Sequence, residues 1–230
     1  MLNPFLSNLT VINGMLLCIH NLRYKSGYIM TTYFAYCGLI ASIWIVFGVF
    51  LAAKFYPNYN HNKQFCSELG AKGSPTERLS PIINNYPLGI LFCFFGFAVI
   101  QMKDSSIVSV ITGSLIIIHG IGTWVAGYFP MDANAYTKSP SFNCKVHSWA
   151  GFIMLLALLI AQLLMVFSPI NQSITTPFKI FSIASILATV YFIYKMAKTI
   201  KNKTNPGLYQ RLSYGAQLVW LSGLSLVLTQ

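Results

Sequence analysis

The stretch H119-GIGTWVAGYFPMDANAYTKSPSFNCKVHSWA-G151 decides how this chain is read. A glycine-studded apolar segment carries one histidine, His119, and stops on Tyr128, Phe129 and Pro130. A polar loop with one carboxylate, Asp132, follows, and a new apolar segment opens with Cys144, His147 and Trp149. Two apolar runs joined by a short polar loop with aromatic ends are the sequence form of two membrane-crossing helices.

The rest of the chain repeats that pattern. Of 230 residues, 55% are hydrophobic and 8% charged, with mean hydropathy +0.61. A soluble domain carries about 25% charged residues. Spans are expected at residues 33–55, 87–102, 107–129, 146–167, 178–194 and 212–228. The fold class is therefore all-α: a polytopic bundle of six transmembrane helices in the cell membrane. Residues 30–230 form that domain. Residues 1–29 stand apart, because residues 9–20 are too short to span and are interrupted by Asn13 and Gly14. They lack the basic start and cleavage site of a signal peptide. They are either an interfacial segment or an extension upstream of Met30.

The net charge of +11 invites a nucleic-acid reading, but the 15 Lys and Arg are spread over the loops instead of forming one basic face. Membrane lipids are the expected partners, with a further membrane protein as a second candidate and no nucleic acid. Six spans put both termini on one side together with Arg23, Lys25, Lys103 and Lys179. The other 11 cations lie with the loops after spans one, three and five. The positive-inside rule makes those loops cytoplasmic.

An ionisable group inside a span is costly and marks function by default. His119 is the one good candidate, about 15 Å from the end of its span at 1.5 Å per residue. Gly113, Gly120, Gly122 and Gly127 would let neighbouring helices approach it, so it is expected to be a buried support within the bundle. No chain of ionisable groups accompanies it, which argues against pumps and ion-coupled carriers.

The stronger constellation lies in the loops after spans one and three. Topology brings Glu68, Glu77, Arg78, Asp132 and His147 to one membrane face. A carboxylate beside an imidazole can orient it, raise its basicity or hold a cation with it. Glu68, Asp132 and His147 are the candidates for catalysis. Ser67, Glu68, Arg78, Asp132 and His147 are the candidates for binding, with Arg78 suited to a phosphate. The same charges could equally be solvated and paired with Lys72 or Lys145. Cys66 and Cys144 share that face and could form a disulfide, remain free, or join His61 and His147 around zinc. No cofactor fingerprint appears, so no cofactor and no metal is assigned.

Three stretches carry a resemblance. The first is Ser67-Glu68-Leu69-Gly70 with Gly73-Ser74-Pro75-Thr76, then Asn84-Asn85-Tyr86 entering a span. The second is Gly127-Tyr128-Phe129-Pro130-Met131-Asp132 with His147 opening the next span. The third is Gly207-Leu208 and Arg211 ahead of a last span holding Trp220. Together they resemble the prokaryotic domain-of-unknown-function 998 family of six-span membrane proteins, over roughly residues 33–228. The plan is distantly similar to the superfamily of damage-regulated autophagy modulators and GPI-anchor-remodelling membrane proteins. That likeness implies an association with lipids and exoplasmic motif loops, the opposite of the charge count. Fold analogy does not transfer function.

Three functional expectations follow. The first is an interfacial polar site, made by the loops after spans one and three, for a lipid headgroup or partner. The second is an interfacial lipid hydrolase or remodelling enzyme using a carboxylate–histidine group. The third is a structural or assembly subunit without a site.

Overall fold

The computed structural model of the protein describes residues 30–102, 105–171, 174–202 and 204–229. The N-terminal segment and the centre of the turn at 103–104 lie outside those residues. Six long helices follow in order: α1 Met30–Lys54, α2 Tyr86–Ile100, α3 Ile107–Tyr128, α4 Phe142–Phe167, α5 Thr176–Asn202 and α6 Pro206–Leu228. Among the described residues there is no strand. Between α1 and α2 lie a 3-10 turn, Cys66–Gly70, and a π-helical turn, Pro81–Asn85, that runs straight into α2.

The expected spans correspond to these helices, with differences at the ends. The fifth helix runs on through the basic stretch to Asn202, well past residue 194. The last begins at Pro206, where a proline at the first helical position needs no amide partner. Five helices are long and apolar enough to cross a membrane: α1, α2 with its π turn, α3, α4 and α5. This is the pattern of a multi-pass membrane protein.

The helix α6 is long enough, at 23 residues, but carries Gln210, Arg211, Ser213, Gln217 and Ser225. Its position accounts for that composition, because it packs against four other helices. Toward α1, Ser225 Oγ donates to Ala35 O (2.5 Å), and Ser42 Oγ of α1 donates to Leu218 O (3.0 Å). Toward α4, Gln217 Nε2 donates to Leu155 O (3.2 Å). Toward α5, Trp220 Nε1 donates to Ser182 Oγ (2.9 Å) and Ser185 Oγ donates to Ala216 O (2.8 Å). Toward α3, Tyr214 meets His119. A helix enclosed by protein can be held by interhelical hydrogen bonds where a lipid-facing helix could not. Around it Phe92, Phe95, Ile116, Leu158, Trp220, Leu221 and Leu224 form the apolar core, all fully buried.

Two local devices set the frame. The helices α2 and α3 cross at Gly96 and Gly113, where a Cβ on either would stand 2.5 Å from the other's carbonyl oxygen. Only glycine permits that approach. At the start of α2, Pro87 has no amide hydrogen, so the Ile83 carbonyl one turn earlier loses its helical donor. Trp44 of α1 supplies a replacement, its Nε1–H donating to Ile83 O at 2.8 Å. Trp124 likewise donates to Tyr86 O at 2.9 Å. These two tryptophans brace the entry of α2.

Candidate functional site

The connections after α1 and α3 meet the first turns of α6 at one end of the bundle and form a hydrogen-bonded cap. Lys72 N donates to Met131 O (2.9 Å), joining the first connection to the second. Leu208 N, in the first turn of α6, donates to Asn62 O (2.9 Å), joining that helix to the first connection. Ala71, Met131 and Cys144 form a small apolar cluster beneath.

Each carboxylate of the cap serves the main chain. Glu68 Oε1 accepts from Phe65 N at 2.8 Å and so caps its own 3-10 turn, while Oε2 accepts from Gln64 Nε2 at 3.3 Å. Ser67 sits half-buried in the same turn. Glu77 Oε2 accepts from Gly73 N at 2.7 Å, closing a turn in which Gly73 has φ 78°. Ser74 and Thr76 both donate to Leu69 O, so the Gly73–Thr76 motif wraps back onto the Ser67–Gly70 motif. Asp132 Oδ2 accepts from Ser141 N at 2.8 Å, and Ser141 Oγ in turn accepts from Cys144 N as the cap of α4. Hydrogen bonds from Ser141, with smaller help from the Cys144 thiol and Lys72, hold the Asp132 carboxyl below its usual range.

His147 is committed elsewhere. Its Nδ1 stands 2.9 Å from both Ala126 O and Phe129 O, the last carbonyls of α3. A carbonyl only accepts, so Nδ1 carries the proton and staples α4 to the end of α3. The expected carboxylate–imidazole grouping is thus not what these side chains build: Asp132 bonds to the start of α4, His147 to the end of α3, and Glu68 to the first connection. Arg78 is exposed and outside this network.

Cys66 and Cys144 are both free thiols, one of the three states expected for them. Their surroundings differ. Cys66 N donates to Gln210 Oε1 of α6 at 2.7 Å, whereas Cys144 packs with Ala71 and Met131. The zinc alternative meets the same geometry. His61 is held between Phe50 (4.8 Å) and Tyr59 (5.1 Å), and among the described residues no three His, Cys, Asp or Glu side chains cluster as ligands would.

His119 lies inside the bundle. It is fully enclosed; its Nδ1–H donates to Met154 O of α4 (3.0 Å), and the Tyr214 hydroxyl of α6 donates to its Nε2 (3.2 Å). The ring of Phe92 from α2 meets it edge-on at 4.7 Å. One imidazole thereby ties four helices.

Arg211 is the residue whose role sequence reasoning missed. Its Nη1 donates to His61 O, to Gln64 O (2.8 Å) and to Gly207 O (2.9 Å), and its Nη2 donates to the Tyr59 hydroxyl (2.6 Å). The guanidinium also lies 5.7 Å from the centroid of the Tyr59 ring. Gly207 is required beside it, since a Cβ there would stand 2.0 Å from Gln64 O. Burial pushes the Tyr59 phenol up, and burial likewise pushes up the Cys66 thiol against the opposing pull of Arg211. The signal in the sequence was an arginine in the second turn of the last helix, where a cation must find acceptors before the chain enters the apolar zone.

The architecture is that of a multi-pass helical membrane protein closed at one end by a polar cap. Residues 39–227 match the family described as "Protein of unknown function (DUF998)", and the chain belongs to that family. No curated protein and no solved structure matches it.

Proposed function

We propose that this is a six-span protein of the cell membrane whose polar cap is a binding surface for lipid headgroups. The observation that carries this reading is how charge is used at the cap. Glu68, Glu77 and Asp132 direct their hydrogen bonds to main-chain amides, while Lys54, Lys63, Lys72, Arg78, Lys138, Lys145, Lys198 and Lys201 are exposed. A rigid cap thereby offers cations to the headgroup layer, where each basic residue near an anionic surface contributes about 1 kcal/mol. The sixth span is α6, whose polar side chains meet neighbouring helices and so need no lipid contact.

Acid–base chemistry fits less well, because Asp132 and His147 have their hydrogen bonds at different helix ends. The test is native mass spectrometry of the protein taken from membranes in mild detergent. Retained lipid should be enriched in anionic phospholipid relative to the bulk membrane, and the joint change of Lys63, Lys72 and Arg78 to Gln should reduce that enrichment. Retained lipid matching the bulk composition would refute the reading. A stoichiometric protein partner held in its place would replace it.

A further inference from the structure

The outer face of α4 carries a feature that the cap network does not use. Lys145, Ser148, Trp149 and Phe152 lie at spacings of three, four and seven residues, which is one stripe of a helix. With Pro140 of the preceding connection they line an open depression of about 390 Å³. That is in the lower part of the range for small-ligand sites, about 300–1,000 Å³, and fits a phosphoglycerol group better than a whole lipid. Lys145 is exposed, Trp149 is 65% exposed and Phe152 49% exposed. The two rings meet edge to face at 5.8 Å and so form one apolar wall.

Position along the helix gives the stripe its meaning. At 26 residues α4 is about 39 Å long, while the hydrocarbon core is about 30 Å thick. Its first turns therefore stand in the headgroup layer. From Lys145 to Phe152 the rise is about 10 Å. That distance runs from headgroup depth, through the level where indoles settle, to the first methylenes. A cation, an indole and a phenyl ring arranged in that order match phosphate, glycerol–ester region and acyl chain.

We infer that this depression seats one anionic phospholipid of the surrounding leaflet, its phosphate against Lys145 and an acyl chain along Trp149 and Phe152. The seat rests on the headgroup-binding reading above and gives it one defined place. Asp132 and Ser141 fix the start of α4 and hence the level of Lys145, but neither lines the depression.

The test uses the full chain in phosphatidylcholine bilayers with an equal mole fraction of brominated phosphatidylglycerol or brominated phosphatidylcholine. The Trp149 signal is the fluorescence lost between the wild type and Trp149→Phe. Its quenching should favour the glycerol lipid by about fivefold, the worth of one cation beside an anionic lipid. Lys145→Gln should abolish that preference, and Lys195→Gln, a cation of α5 that neither lines the depression nor belongs to the exposed cap cations, should leave it. Equal quenching by both lipids overturns the seat. So does a preference that survives Lys145→Gln, or one that Lys195→Gln removes equally. If anionic lipid is still enriched by mass spectrometry when the seat fails, the cap reading stands without it. Absence of enrichment there removes both.

Discussion

Replacing Arg211 by Lys should loosen the cap from the central helix. The guanidinium donates to four oxygens, those of His61, Gln64, Gly207 and the Tyr59 hydroxyl. Hydrogen bonds from a charged donor contribute about 1.5–3 kcal/mol each, but bonds from one group do not add. Two of the acceptors, His61 O and Gln64 O, belong to a connection that water can reach once it opens. The net loss for Arg211→Ala should therefore be about 3–4 kcal/mol, far below the pairwise sum. Lysine keeps the charge but not the planar fork, so Arg211→Lys should recover less than about half of that. For a chain of this length 1 kcal/mol moves Tm by about 2–4 °C. Arg211→Ala in detergent should thus melt roughly 6–15 °C below the wild type. Limited trypsinolysis gives the independent readout: cleavage after Lys63, which is exposed in the tethered connection, should accelerate in both variants. If Arg211→Lys melts within about 2 °C of the wild type and Lys63 is cut no faster, the staple is not what holds the cap.

Three further outcomes are expected. His119→Ala removes one imidazole's bonds to two helices and leaves Met154 O and the Tyr214 hydroxyl without their partner. It should cost about 2–4 kcal/mol in thermal unfolding, whereas Trp149→Phe at the lipid-facing surface should cost less than about 1. Gly113→Leu should force α2 from α3 and give polydisperse protein by size exclusion, while Gly215→Ala, with nothing within 4 Å of its Cβ, should elute as the wild type. The depressed Asp132 pKa means that its contribution to capping α4 is fully present above the ordinary value of 3.8 and lost as pH falls through the lowered one. Hydrogen exchange of the Ser141 amide should quicken only in that acid window beyond its intrinsic pH trend, and in Asp132→Asn the change across the window should vanish.

How much was legible in the sequence follows from what each signal depends on. The five apolar spans were readable because length and hydropathy are properties of consecutive residues. The burial of His119 was readable too, since the glycines around it sit within one helical segment. The carboxylate–histidine grouping was not. Asp132 and His147 do lie in adjacent elements, but which carbonyl or amide each meets depends on how α3 and α4 end. Arg211 was visible as part of a motif, yet three of its four acceptors lie some 150 positions away in the chain.

By itself, then, the sequence determined an all-helical chain with several membrane-length segments, a basic connection face and one buried histidine. All of these are sums over local composition and periodicity. Tertiary structure alone decided that α6, the long helix without a sufficiently apolar window, is the one that bonds to four others. It also decided that Cys66 meets α6 while Cys144 packs on Ala71 and Met131, and that the acidic residues of the cap brace backbone rather than one another. Those outcomes turn on which donor reaches which acceptor, a matter of a few ångströms between segments far apart in the chain. Hydropathy carries no information about such distances.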